Sequence, residues 1–160
     1  MNKLLLFILL IAFCMSLFAL QADEELAMHQ YFDLKHGVNR AAHAGAQVLD
    51  RELLPEGKVD LDEVQARETA LLYLRENLRL DEQLVPLPSA FLQGQVSVLV
   101  LDVIGAEHSF PYRYEQPAYE YSVTLNRPGV VVIIGVQYPR MYNLLKPVSW
   151  TVKGSAELVL

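Results

Sequence analysis

The sequence predicts an α+β protein in which a long N-terminal helix, a second helix and a four-stranded antiparallel sheet form one domain. Three observations support this fold class. An apolar N-terminal run continues without glycine or proline as far as His36, a capped amphipathic stretch follows near residues 60–80, and from residue 95 the apolar period changes to two. With 160 residues, of which 52% are apolar, the chain is long enough for one hydrophobic core.

Residues 4–20, LLLFILLIAFCMSLFAL, carry no charged side chain. A helix of that length is about 25 Å long, near the shortest that spans a ~30 Å hydrocarbon core. Lys3 precedes the run and the acidic residues 23–25 follow it. Because positive charge stays on the cytoplasmic side, we expect the remainder of the chain to be extracytoplasmic.

A cleaved signal peptide is the alternative interpretation of this N-terminus. Cleavage after Ala22 or Ala19 would place Leu20 or Leu17 where the peptidase prefers a small residue. We therefore interpret residues 1–22 as a retained anchor in the cytoplasmic membrane and residues 23–160 as a single extracytoplasmic α+β domain.

The helix is predicted to continue past the membrane to about residue 53, because the first strong breaker is Pro55. Its amphipathic half has apolar residues three and four apart, at Ala27, Tyr31, Leu34, Val38, Ala41, Gly45 and Val48.

Gly37, Ala41 and Gly45 form a ridge of small residues on this helix, where another backbone can approach closely. Packing against the protein's own sheet is the preferred interpretation, and contact between helices of two copies is the alternative. Arg40 lies beside the ridge and is predicted to be a surface residue or a partner of Asp33 or Asp50.

The second helix is predicted to begin at Asp60 as N-cap, with Glu63 completing a capping box. Its predicted buried residues are Val64, Leu71, Leu74 and Leu78.

Four segments have the period of β-strands, namely residues 95–104, 119–126, 130–138 and 148–160. Pro128-Gly129 between the second and third predicts a type II turn, and so a hairpin.

Four tyrosines, Tyr112, Tyr114, Tyr119 and Tyr121, are candidates for an aromatic contact surface, although tyrosines more often cover a sheet. Asp102, His108 and Ser109 are the residue types of a hydrolase triad, but no G-x-S-x-G nucleophile elbow occurs. We therefore expect no enzymatic activity.

The histidines of the first helix, His29, His36 and His43, are seven residues apart. Each step is about 10.5 Å of helical rise, too far for two of them to bind one metal ion. We expect no metal and no cofactor. The net charge is −6 without a block of basic residues, so nucleic acid is not an expected partner.

The order of a short basic start, an apolar helix, an alanine-rich amphipathic continuation and strands resembles the pilin-like TadE proteins of Tad-type pilus and secretion systems. The segment VNRAAHAGAQVLD, residues 38–50, is similar to the stretch that follows the membrane in that family. Residues 130–160 resemble its ending, with a strand closing on Tyr138-Pro139 and a last strand containing Ser155-Ala156. Residues 55–128 match only in general layout.

The resemblance implies a pilin-like fold and a non-enzymatic, membrane-anchored component that contacts other pilus or secretion proteins, with self-association as a further expectation. The chain departs from pilins because no glycine or alanine precedes the apolar run and no glutamate lies within it. The alternative is a secreted, cystatin-like binding module that would result from removal of residues 1–22.

Overall fold

The computed structural model describes residues 2–92, 94–139 and 146–159. Two helices and five strands form the fold: α1 Asn2–Gly45, α2 Glu63–Leu78, β1 Val96–Ile104, β2 Tyr112–Gln116, β3 Tyr121–Leu125, β4 Gly129–Tyr138 and β5 Val148–Glu157. Short 3-10 turns lie at Leu54–Glu56 and Pro117–Tyr119. The predicted α+β class, with a long N-terminal helix, a second helix and antiparallel strands, is confirmed.

The prediction of a single four-stranded sheet is wrong. Strands β1, β4 and β5 form a three-stranded antiparallel sheet with β4 in the middle, and β2 pairs only with β3 in a separate two-stranded sheet. Strand β2, YRYEQ, was not predicted, because it is short, rich in charge and bounded by Pro111 and Pro117.

The predicted hairpin at Pro128-Gly129 is also wrong, because β3 does not pair with β4. Gly129 is the first residue of β4, and among the described glycines only Gly57 has a positive φ. Because Gly129 has no side chain, β5 can approach it closely: a Cβ there would lie 2.5 Å from the Ala156 carbonyl oxygen of β5.

The three-stranded sheet lies between two apolar layers. Alternate side chains of β4, such as Val132 and Ile134, pack with the two helices, while Val131 and Ile133 pack with the β2–β3 hairpin. Because both faces are covered, β4 is apolar almost throughout, as expected of a central strand.

Small residues bring α1 and α2 together in an antiparallel pair. A Cβ on Gly45 would lie 2.8 Å from the Ala66 carbonyl oxygen of α2, and one on Gly37 would lie 2.5 Å from Leu78 Cδ2. Ala41, between them, is fully buried. The ridge therefore packs within the domain, but its main neighbour is α2 and not the sheet that the preferred interpretation named.

Helix α1 ends at Gly45, not near residue 53 as predicted. The amides of Gln47 and Val48 bond to carbonyls three residues back, at Ala44 and Gly45, which tightens the last turn. The chain then pairs Leu49 with Leu61 in an isolated antiparallel bridge. This pairing ends the helix before any proline is reached.

The N-cap of α2 is Asp62, which accepts a hydrogen bond from the Gln65 amide at 3.0 Å. Asp60, the predicted cap, instead accepts bonds from the amides of Leu61 and Ala106, both at 2.8 Å. The prediction that Val64 is buried is wrong, since it is 67% exposed. The fully or almost fully buried residues of α2 are Ala66, Ala70, Leu74 and Leu78.

Cationic side chains from the helices bind backbone carbonyls of both edge strands. Arg67 of α2 donates to the Leu101 carbonyl of β1, and Lys35 of α1 donates to the Lys153 carbonyl of β5. Burial, and then the charge of Lys153, lower the pKa of Lys35. These contacts attach each helix to one edge strand of the three-stranded sheet.

Replacing Ala41 by leucine should destabilise the protein, because three extra heavy atoms would enter a fully buried position between Gly37 and Gly45. Overpacking of this kind costs about 1–3 kcal/mol. The measurement is thermal unfolding of the full-length protein in detergent. His29→Leu, exposed on the same helix, is the matched control and should unfold near the wild-type temperature. Equal melting of both variants and wild type would contradict the packing described.

Candidate functional site

Among the described residues, one helix is long and apolar enough to cross a membrane, and it is the N-terminal part of α1. Large apolar side chains between Leu4 and Phe18 are exposed to about half or more of their area. The folded domain begins directly after them, since Asp23 is only 2% exposed and Ala27 only 7%. No flexible linker therefore separates the apolar segment from the domain.

The small-residue ridge of α1 and the neighbouring Arg40 differ in their exposure. Gly37, Ala41 and Gly45 are buried against α2 and are not available to another molecule. Arg40 is exposed, and its Nη1 donates to Asn77 Oδ1 at 3.2 Å. Its partner within the described residues is thus an amide, and neither Asp33 nor Asp50.

The outer surface of the α1–α2 pair contains two adjoining grooves. One of about 380 Å³ is lined by Arg40, His43, Ala44, Gln47, Thr69, Tyr73 and Asn77. The other, of about 460 Å³, is lined by Leu72, Tyr73, Glu76 and Asn77. Leu72 and Tyr73 are 45% and 47% exposed, so this surface presents apolar groups between a cation and a carboxylate. We call it the outer helical surface.

The structure positions Arg40 through a short chain of hydrogen bonds. Asn77, which accepts from Arg40, donates through Nδ2 to the Tyr73 carbonyl at 2.7 Å. A guanidinium has five N–H donors. The side chain is therefore oriented by α2, and among the described residues its guanidinium donates to Asn77 alone, which leaves other N–H groups for an incoming acceptor.

The four candidate tyrosines lie at or beside the β2–β3 hairpin and pack towards the three-stranded sheet. Tyr114 is buried, and the other three are half-buried in the same apolar cluster. Tyr114 donates to Asp102 Oδ2 at 2.5 Å, and Tyr121 donates to Ser155 Oγ at 2.9 Å. Burial first, and then the bond to Asp102, raise the pKa of Tyr114.

The triad-type residues have separate partners. Asp102 bonds to Tyr114, whereas His108 places Nδ1 2.9 Å from a Glu107 carboxylate oxygen and packs on the Tyr112 ring at 4.3 Å. Ser109 is exposed. A relay from carboxylate through imidazole to hydroxyl needs these three groups in sequence, and the observed contacts do not arrange them so.

The helical histidines His29, His36 and His43 are all exposed on α1. Within the ranges the structure describes, no group of three histidine, cysteine, aspartate or glutamate residues is arranged to hold a metal ion.

Sequence reasoning missed Tyr73, Glu76 and Asn77, and with them the outer helical surface. The available signal was Tyr73, a large aromatic residue one position from the assumed apolar stripe of α2. Its exposure depends on which face of α2 meets α1, and that face is set by alanines that give a weak hydrophobic signal.

No family model matches this chain, and neither a curated protein nor a solved structure is significantly similar to it.

Replacing Tyr114 by phenylalanine should cost about 1–2 kcal/mol at neutral pH, because a hydrogen bond to a carboxylate is lost. The raised pKa means that the folded state favours the protonated phenol. That contribution is fully present below the ordinary tyrosine pKa of about 10 and is lost as the pH rises towards the folded-state value.

Denaturant unfolding between pH 7 and 11.5 should therefore show a steeper alkaline loss of stability in wild type than in Tyr114→Phe. Tyr119→Phe serves as the control and should follow the wild-type slope. Parallel curves for wild type and Tyr114→Phe would show that the Asp102 contact does not stabilise the fold.

Proposed function

We propose that this chain is a non-enzymatic, single-pass, pilin-like component of a Tad-type pilus or secretion apparatus. Its first helix holds an α+β domain on the extracytoplasmic side of the cytoplasmic membrane, and the domain acts through contacts with other proteins. The observation that carries the proposal is the continuity of α1, which is one helix from Asn2 to Gly45. Its first part is apolar and exposed, and its second part is the core helix of the domain.

The packing of the domain on α1 supports this proposal. Tyr31 of α1 contacts the Trp150 ring of β5 edge-on at 5.8 Å, and Trp150 stacks on Tyr138 of β4 at 4.8 Å. These contacts fix the ends of β4 and β5 to the helix about three turns after the apolar run. A helix that both spans a bilayer and forms the core of a small domain is the general plan of pilin-like proteins, which the sequence resembles at both ends.

The secreted, cystatin-like alternative is disfavoured by the same region. Leu20 and Ala22 are half-buried within the fold, and Asp23 is buried. Cleavage after Ala22 would remove Leu20 and Ala22 from the folded domain and would place a charged amino group beside the buried Asp23, and burying a charge is costly. A retained anchor avoids this cost.

The mature protein should begin at or near Met1 and should resist extraction from membranes by carbonate or high salt, because an apolar helix is held by burial and not by charge. N-terminal sequencing by mass spectrometry and fractionation of cells measure both. As a control, Leu9→Arg with Ala12→Arg places two charges in the apolar run and should shift the protein out of the carbonate-resistant fraction. Mature wild-type protein that begins at Asp23 and is freely soluble would refute the anchor and favour the secreted module.

A further inference from the structure

We infer that the outer helical surface is a self-complementary interface through which two copies of this chain form a symmetric dimer in the membrane. The inference rests on the proposed membrane anchoring, because anchoring fixes the relative orientation and height of neighbouring copies. It concerns a different face of α1 from the buried ridge of Gly37, Ala41 and Gly45.

The charges of the surface suit a second copy. Arg40 of α1 and Glu76 of α2 are both exposed, and neither is in an ion pair with another described residue. They lie on opposite sides of the apolar centre formed by Tyr73 and Ala44, because Arg40 belongs to one helix of the pair and Glu76 to the other. Exposed tyrosine and arginine are also the residue types that carry most energy in protein interfaces.

The membrane restricts how two copies can meet. Both copies insert in the same direction, so a two-fold axis that relates them must be parallel to the membrane normal. Rotation about that axis leaves heights unchanged and places α1 of one copy opposite α2 of the other. Arg40 then faces Glu76 of the second copy, because Asn77, next to Glu76 in sequence, bonds to Arg40 and so lies at its height.

The resulting arrangement is a bundle of four helices made from two helical hairpins. Neighbouring helices across the interface run antiparallel, as the two helices do within each copy. Because the interface is isologous, it contains two equivalent contacts between Arg40 of one copy and Glu76 of the other. Tyr73 of both copies lies near the axis. The chemistry required of the partner is therefore that of the chain itself.

Lipid is an unsuitable occupant of this surface. Arg40 lies twenty residues beyond Leu20, the last residue of the apolar run, which is about 30 Å of helical rise. The headgroup region extends only roughly 5–8 Å beyond the hydrocarbon core. The outer helical surface is thus well above the bilayer when the helix spans it.

The test uses full-length chains with two different tags, co-expressed and co-purified from detergent-solubilised membranes. Arg40→Glu alone places two acidic residues opposite each other in both contacts, and Glu76→Arg alone does the same with two basic residues. Each should reduce co-purification of like copies about tenfold or more. Because both positions are exposed, thermal unfolding should stay near wild type.

Mixing the two single variants is the decisive measurement. In a dimer of one Arg40→Glu chain and one Glu76→Arg chain, both contacts again join opposite charges, so co-purification should return to the wild-type level. A charge pair within one chain cannot be repaired by mixing. Arg51→Glu and Glu52→Arg, exposed in the loop after α1, are the matched charge controls and should leave co-purification unchanged.

Three results would overturn the dimer. The first is wild-type co-purification by the single variants. The second is that mixing the two variants does not restore co-purification. The third is that wild-type copies do not co-purify with each other, while a different membrane protein co-purifies with wild type and not with Arg40→Glu. Cell fractionation of the same cultures separates failure of the dimer from failure of the proposed function. If one of these results is obtained while the protein remains in membranes, only the dimer is refuted, whereas soluble wild-type protein refutes the anchor.

Discussion

The close contact between α1 and α2 is the constraint on which the rest of the fold depends. At Gly45 a Cβ would lie 2.8 Å from the Ala66 backbone oxygen, and at Gly37 it would lie 2.5 Å from the Leu78 side chain. Ala41, between the two glycines on α1, is fully buried. Leu78 of α2 meets Gly37, and both Leu74 and Leu78 belong to the core that the helices share with the sheet. The position of α2 then determines which of its side chains face outward.

A second constraint is that both faces of the sheet must be covered, because its middle strand β4 is apolar on both. Helices cover one face, and the β2–β3 hairpin covers the other through Tyr114, Leu125 and their neighbours. The polar group that this second layer buries is matched: Asp102, on the hairpin side of β1, accepts a hydrogen bond from Tyr114. The tyrosines that were candidates for a contact surface thus pack between the two sheets and join them.

The sequence predicts where helices and strands occur better than it predicts which strands pair and which helix faces pack together. Long periodic segments identify α1, α2 and most strands, because burial imposes a repeat on each. Strand β2 and its pairing with β3 were missed, since a five-residue charged strand is stabilised by long-range contacts. Val64 fits the α2 stripe as well as Ala66 does, and only the short distance between the helices selects the alanine. The outer helical surface follows from that choice and was therefore not predictable.

The absence of a linker between the apolar run and the domain also limits how the protein can meet others. Asp23, Ala27 and Leu34 are buried in the domain while they lie on the same helix as the apolar run. Rotation or tilt of the helix in the bilayer must then move the whole domain as a rigid unit. Side chains such as Arg40 and Glu76 keep a fixed height above the membrane and a fixed direction relative to the apolar segment. A partner must therefore match both height and direction, and a second copy anchored in the same way matches the height without any further adjustment.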